Sequence, residues 1–211
     1  LLWEPKEYIN IMVYPFTDSQ ILGISTFPYS LKDFFLEGTQ QVSASWITLE
    51  NLSFPYCISI NSSYIYEQST DERINQNDAA ITLAHELGHY LGLRHVFSEG
   101  GTTSMCTDTD YCKDTPSYNR SEYEQWLNNL DKQNKYQLKD LAKRYSCEKG
   151  EYEAHNIMDY AYCFYNEITL EQRKRIRHIL NYSPLIPGPK ESRIDTRGVQ
   201  GRLNLPICIM K

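Results

Sequence analysis

No stretch of this 211-residue chain approaches the ~18–20 consecutive apolar residues that a membrane-spanning helix needs. A helical integral membrane protein is thereby excluded. Positive charge is scarce: 21 Lys and Arg stand against 27 Asp and Glu, a net charge of −6. A field of that sign repels phosphate backbones, so nucleic acid is not an expected partner. No C-x-x-C pair occurs among the six cysteines, Cys57, Cys106, Cys112, Cys147, Cys163 and Cys208. Their wide spacing argues against a cysteine-rich metal site, and their even number favours disulfides and an oxidising compartment. The start, Leu1 to Pro5, has neither a charged nor an apolar leader region and does not read as a signal peptide, so a secreted form would be processed or truncated. Internal repeats and low-complexity tracts are also missing. What remains is globular: 41% hydrophobic and 23% charged residues, enough for a substantial core. Tyrosine is in excess, 17 against 7 Phe, which fits an amphipathic binding surface or ordinary strand packing.

Residues 1 to about 76 read as strands and loops. Ile9, Ile11 and Val13 alternate with more polar neighbours between Tyr8 and Tyr14, as in a half-buried strand, and Tyr56 to Ile60 repeats the pattern. A short helix is expected near Lys32 to Glu37. From Asp78 to Leu91 the period becomes helical, with Asp78 or Asn77 as cap and Gly92 placed to end the helix. Residues 98 to 120 are loop-like. A second helix is expected over Ser121 to Tyr145, and a third over Thr169 to Leu180, opened by the capping pair Thr169 and Gln172.

The chemistry concentrates in one segment, His85-Glu-Leu-Gly-His-Tyr-Leu-Gly-Leu-Arg-His95. It fits H-E-x-x-H-x-x-G-x-x-H at every fixed position, a match expected by chance on the order of 10⁻⁵ times per such chain. His85 and His89, four residues apart, share a helix face and can both reach one Zn²⁺. Gly92 lets the chain turn so that His95 supplies a third nitrogen from outside the helix. Three neutral nitrogens leave the fourth tetrahedral position for water, as in catalytic rather than structural zinc sites. Glu86 adjoins the first ligand and is expected to act as general base on that water rather than as a ligand. The bland alternative, satisfied histidines on a buried helix, would bury three of the five histidines without a shared partner, which is costly. His178, in the basic run Arg173 to His178, is expected on a solvated helix face.

The long zinc motif resembles that of the metzincin zinc endopeptidases. In that clan a methionine turn lies beneath the metal, and Asn156-Ile-Met-Asp-Tyr160 fits it, with Met158 as its methionine and His155 as a structural hydrogen-bonding neighbour. The resemblance gives Tyr160 the role of a hydroxyl near the metal that binds the substrate carbonyl or its oxyanion, with plain packing as the alternative. Gly100-Gly101 with Cys106, the run Asp110-Tyr-Cys-Lys-Asp-Thr-Pro116 and the Met-turn followed by Cys163 look most like the pappalysin family, in its small bacterial ulilysin-like branch. The likeness covers about residues 78 to 182 well and the N-terminal strands loosely.

That resemblance implies an α+β metzincin catalytic domain over residues 1–211. An upper lobe, about 1–92, would hold a twisted mixed sheet and the zinc helix. A loop-rich lower lobe, about 93–189, would hold the Met-turn and a C-terminal helix, with residues 190–211 as an extension. It implies one Zn²⁺, and Ca²⁺ with Asp108, Asp110 and Asp114 as candidate oxygen ligands, a solvated acidic loop being the even alternative. It implies the bridges Cys106–Cys147 and Cys112–Cys163, leaving Cys57 and Cys208 as a third bridge or as thiols. Val96 replaces the family's usual threonine. Tyr162 and Phe164 flank Cys163 where Arg-preferring members carry an acid, which favours an apolar or aromatic preference at least as much as an arginine one. The expected function is a secreted or extracytoplasmic zinc endopeptidase, monomeric, acting on proteins or peptides. It would sit in the periplasm or at the cell surface, a lipid anchor outside this chain included. The competing readings are an inactive zinc-stabilised binding or adhesion module and a zinc hydrolase of non-peptide substrates.

Overall fold

The computed structural model describes residues 2–43, 55–67, 78–98, 106, 110–131, 138–148, 150–160, 162–188, 190 and 207–210. Three sheets and four helices follow one another in it. The first sheet takes the strand order β1-β5-β2-β10, built from β1 (Ile11–Tyr14), β5 (Ile58–Asn61), β2 (Gly23–Thr26) and β10 (Ile207–Met210). β1 runs parallel to β5, β2 runs antiparallel to β5, and β10 runs antiparallel to β2. A parallel pair, β3 (Tyr29–Leu31) and β4 (Gln40–Val42), lies beyond it. The third sheet follows the order β6-β7-β8-β9, from Phe97–Ser98, Tyr118–Asn119, Lys143–Ser146 and Gly150–Glu153.

Helix α1 (Ala79–Tyr90) packs on β2 and β5. β5 is buried along its whole length, because it lies between two strands and under a helix. Tyr29, Tyr56, Ile58, Ile60 and Tyr90 join Ile179 of α4 (Leu170–Tyr182) and Leu185 and Ile186 in the main core. A second cluster of Leu22, Phe97, Tyr118, Tyr123 and Tyr160 binds the third sheet to α2 (Arg120–Asp131).

Several expectations hold. The helix of residues 78–91, the strand of 56–60 and the capping box of α4 are all present; Thr169 accepts from the Gln172 N–H, and Gln172 accepts from the Thr169 N–H. Others change. The alternation in β1 marks a strand, yet Ile11 and Val13 are each 47% exposed, because β1 is the sheet's outer strand and α1 packs on its neighbours. The helix near Lys32 shrinks to a single 3-10 turn over Lys32–Phe34. The long helix expected over residues 121–145 ends at Asp131; a short α3 (Leu138–Leu141) follows, and residues 143–146 are strand β8. Residues 132–137 of that expectation lie outside the described ones. β8 pairs with β9 and turns Arg144 inward, a use of a charged residue that no apolar periodicity announces.

Candidate metal centre

Helix α1 carries His85, Glu86 and His89, each at most 1% exposed. Asp78 holds the N-cap position by its extended backbone, without a side-chain capping bond. At the other end Gly92 adopts φ +89. Its N–H donates to the His89 carbonyl, and the Leu93 N–H donates to the Gly88 carbonyl, each at 2.9 Å. These two bonds form a Schellman motif, which only a residue free of a Cβ penalty closes cheaply. The chain therefore leaves the helix sharply and brings His95 back to it.

Candidate ligand atoms of His85, His89 and His95 all lie within 4.8 Å of one another, the one such metal-capable cluster among the described residues. Each helical imidazole is oriented by a carbonyl. His85 Nδ1 donates to Ile157 at 2.7 Å and His89 Nδ1 to Leu93 at 2.8 Å. This fixes the tautomer and leaves Nε2 as the lone-pair nitrogen. His85 Nε2 is buried without a hydrogen-bond partner, and His89 Nε2 meets His95 Nε2 at 3.0 Å. Burial holds all three rings below the usual histidine range: His85 is lowered to about 4, while His89 and His95 fall well below, helped by repulsion from neighbouring histidines and arginines. Neutral imidazoles with converging lone pairs are the form a metal requires. The donor set fits a zinc ion.

The floor of the site is the turn at Asn156 to Tyr160. Met158 is fully buried against Leu93 and Val96. A Cβ at Gly88 would run into Met158 Sδ, so glycine inside the motif lets the turn approach the helix. Asn156 and Gln172 exchange amide hydrogen bonds at 2.8 and 3.0 Å, and Asn156 Oδ1 also accepts from the Met158 N–H. The turn is thus anchored to the start of α4.

The Tyr160 ring lies 4.5 Å from His95 and 5.5 Å from His85, centroid to centroid. Phe97 stacks on His95 at 4.6 Å, and the Arg120 guanidinium sits 4.6 Å from the Tyr160 ring. Glu86 faces β2, where a Cβ on Gly23 would come within 2.6 Å of Glu86 Cγ. All five residues singled out by sequence are therefore close together.

Two arginines that sequence reasoning passed over support this arrangement. Arg144 is fully buried; its guanidinium lies 3.7 Å from the Tyr123 ring centroid and donates to the carbonyls of Leu141 and Tyr160. Its Nε is 3.5 Å from Asp159, whose carboxylate accepts from the Tyr160 N–H and the Tyr118 hydroxyl. Burial raises the Asp159 carboxyl above its ordinary range, and the Arg144 charge opposes that rise. Arg175, expected on a solvated face, is instead 5% exposed and donates to the Gly92 and Glu37 carbonyls. Likewise His178 reaches the Phe34 carbonyl at 2.9 Å and packs on Tyr182, because α4 lays that face on the 3-10 turn. His155 meets its expectation, bonding Asn166 and stacking on Phe164.

The Cys106–Cys147 disulfide is formed. The Cys112–Cys163 bridge is not: both thiols are buried, with Cys112 Sγ toward the Asp110 carbonyl and Cys163 Sγ toward that of Asn156. Burial pushes the Cys112 thiol up to about 12 and the Cys163 thiol higher, so both stay protonated. Cys57 and Cys208 are also unbridged. Of the acidic loop, Asp108 and Gly100-Gly101 lie outside the described residues. Asp110 accepts from the Cys112 N–H and the Thr115 hydroxyl within the loop, and Asp114 accepts from the Thr169 hydroxyl and the Glu171 N–H, which braces the loop against α4.

Comparison with known proteins agrees with this geometry. Residues 38–181 match the profile of peptidase family M43, described as pregnancy-associated plasma protein-A. An extracellular metalloprotease of Arthroderma otae is 32% identical over 171 residues, 80% of this chain and 49% of that protein. One of Arthroderma benhamiae is 37% identical over 108 residues, 50% of this chain and 32% of that protein. The chain thus spans half or less of the length of these relatives. Mature mirolysin of Tannerella forsythia, solved with a cleaved peptide, shares the fold with TM-score 0.51 and 23% identity, over 83% of this chain and 53% of that one. A promirolysin mutant gives TM-score 0.52 and 23% identity over 85% of this chain and 48% of that one. The α+β fold is that of the mirolysin protease domain, and the chain belongs to the pappalysin peptidases of family M43, a family of metzincin metalloproteases.

Proposed function

We propose that this chain is the catalytic domain of a secreted zinc-dependent endopeptidase that hydrolyses peptide bonds in proteins or peptides. The observation that carries the reading is the meeting of three buried imidazoles, the two on the helix oriented by carbonyls, with Glu86 beside the first of them. His85, His89 and His95 hold the ion. When bound, Zn²⁺ supplies Lewis-acid polarisation of water and of the substrate carbonyl. Glu86 accepts the proton of the attacking water and returns it to the leaving amine. The Tyr160 hydroxyl donates to the oxygen on which negative charge develops, and the buried surround of Phe97, Met158 and Tyr160 keeps that electrostatic help strong. Relatives described as extracellular, together with the Cys106–Cys147 bridge, support secretion. No described helix is long and apolar enough to cross a membrane.

Metal analysis after gentle purification, paired with cleavage of a peptide library, tests this. The expected result is about one zinc per chain, hydrolysis abolished by chelator and restored by Zn²⁺. Less than about half an equivalent of metal, or chelator-resistant hydrolysis, would overturn it.

A further inference from the structure

The edge of the first sheet nearest the metal centre is filled by the protein itself. Glu86 presses on the first residue of β2 so closely that a Cβ on Gly23 would meet its Oε1 at 2.8 Å. One side of β2 is paired with β5. The other side is paired with β10, in the register Met210–Gly23, Ile209–Ile24, Cys208–Ser25 and Ile207–Thr26. Adjacent strands lie ~4.8 Å apart, so the backbone at Met210 is the next one outward from the residue that touches Glu86. β10 also has Cα atoms within 8 Å of α1, the helix that carries Glu86 and two of the histidines.

An endopeptidase must hold its substrate extended, with the scissile carbonyl beside the metal. The cheapest way to hold an extended backbone is to add it as a strand to an open sheet edge, where main-chain N–H and C=O groups are otherwise unpaired. Among the described residues, the edge that adjoins Glu86 is the outer side of β2, since β5 closes the inner side. We propose that residues 207–210 occupy the edge on which a substrate peptide pairs, so that the chain restrains its own active site and β10 must leave before a peptide binds. The inference rests on the protease reading above. Tethering makes it effective: a strand on the same chain acts at an effective concentration in the millimolar range, so even weak pairing competes with peptide. It also makes it reversible, because four residues at a sheet edge open far more readily than buried elements do.

Deleting residues 207–211 tests the proposal, with Met210→Pro as a second variant that removes the ladder N–H opposite Gly23 and leaves the rest of the chain intact. Three readouts are compared with the whole chain: KM and kcat on a quenched-fluorescence peptide library, amide exchange of Gly23–Thr26 in the metal-free protein, and inhibition by a synthetic peptide of residues 202–211. If the edge is open in a tenth of molecules, both variants lower KM about tenfold and change kcat less than about twofold. Exchange at Gly23–Thr26 then accelerates, and the synthetic peptide inhibits the deletion variant competitively. An unchanged KM, or a lower kcat with lost thermal stability, would make β10 an ordinary structural strand and overturn the inference. If neither whole chain nor variant cuts any library peptide, the protease reading fails and exchange alone decides. Library peptides that protect Gly23–Thr26 in the deletion variant but not in the whole chain uphold occupancy of the edge; equal protection, or none, refutes it.

Discussion

The metal centre has two halves that are built in opposite ways. The half from His85 to His95 is local: helix periodicity places two rings, one glycine at φ +89 ends the helix, and the third ring follows three residues later. The half around Tyr160 is assembled from distance. Its main-chain N–H and C=O are held by Asp159 and by Arg144, which comes from β8, and Arg144 in turn lies on the ring of Tyr123 from α2. The comparison separates two tasks. The histidine cluster follows short-range sequence, whereas fixing the Tyr160 ring beside it takes a buried ion pair that several segments must meet to complete.

The largest expected effect breaks the local half. His89→Ala should lose both zinc and hydrolysis, whereas Glu86→Gln should keep zinc and melting temperature while hydrolysis falls by about 10²–10⁴. Metal analysis and kcat/KM on the same preparations check this, and a Glu86→Gln protein with wild-type turnover would remove Glu86 from the mechanism.

Next comes the distant half. Arg144→Ala leaves the Asp159 carboxylate buried without its cation, a loss of about 3–5 kcal/mol in urea unfolding. Replacing the pair together, Arg144→Met with Asp159→Asn, should cost less than the sum of the single changes, which a double-mutant cycle measures. A cost for Arg144→Ala below about 1 kcal/mol would mean that the pair does not hold the turn.

A smaller effect belongs to the disulfide. Cys106 and Cys147 are 41 residues apart, and reduction should lower stability by about 2–4 kcal/mol. Thiol titration of the native protein should find Cys57, Cys112 and Cys163 unreactive until the protein unfolds, since all three are buried. The smallest effect is at the anchor of α4: Thr169→Ala should cost about 1 kcal/mol by removing the capping bond from the Gln172 N–H and the exposed bond from its hydroxyl to Asp114.

Legibility in the sequence follows the same division. The helix of His85, the glycine stop after it, the strand at Ile58 and the capping box at Thr169 were readable because each is a short-range rule with a strong residue signature. The Met-turn was readable only through family resemblance. What escaped was burial of charge. Arg144 and Arg175 sit in segments whose charge suggests solvent, yet each spends its donors on buried backbone carbonyls. β8 was missed for that reason: its inward residue is an arginine, so hydrophobic alternation could not mark the strand. The face of β1 was misjudged in the other direction, since alternation reports a strand but not which neighbours cover it.

The fork of Arg175 also sets an order of events. It ties the Gly92 carbonyl, 83 residues away in sequence, to the Glu37 carbonyl, 138 residues away. The turn that delivers His95 is therefore braced by contacts whose loops are among the longest the chain can close, and loops of that length form slowly. The helical pair of histidines can assemble on its own helix early in folding. On the reading proposed above, the His95 ring joins the other two only once α4 docks, so tight metal capture would mark a nearly finished molecule rather than the nucleus from which it grows.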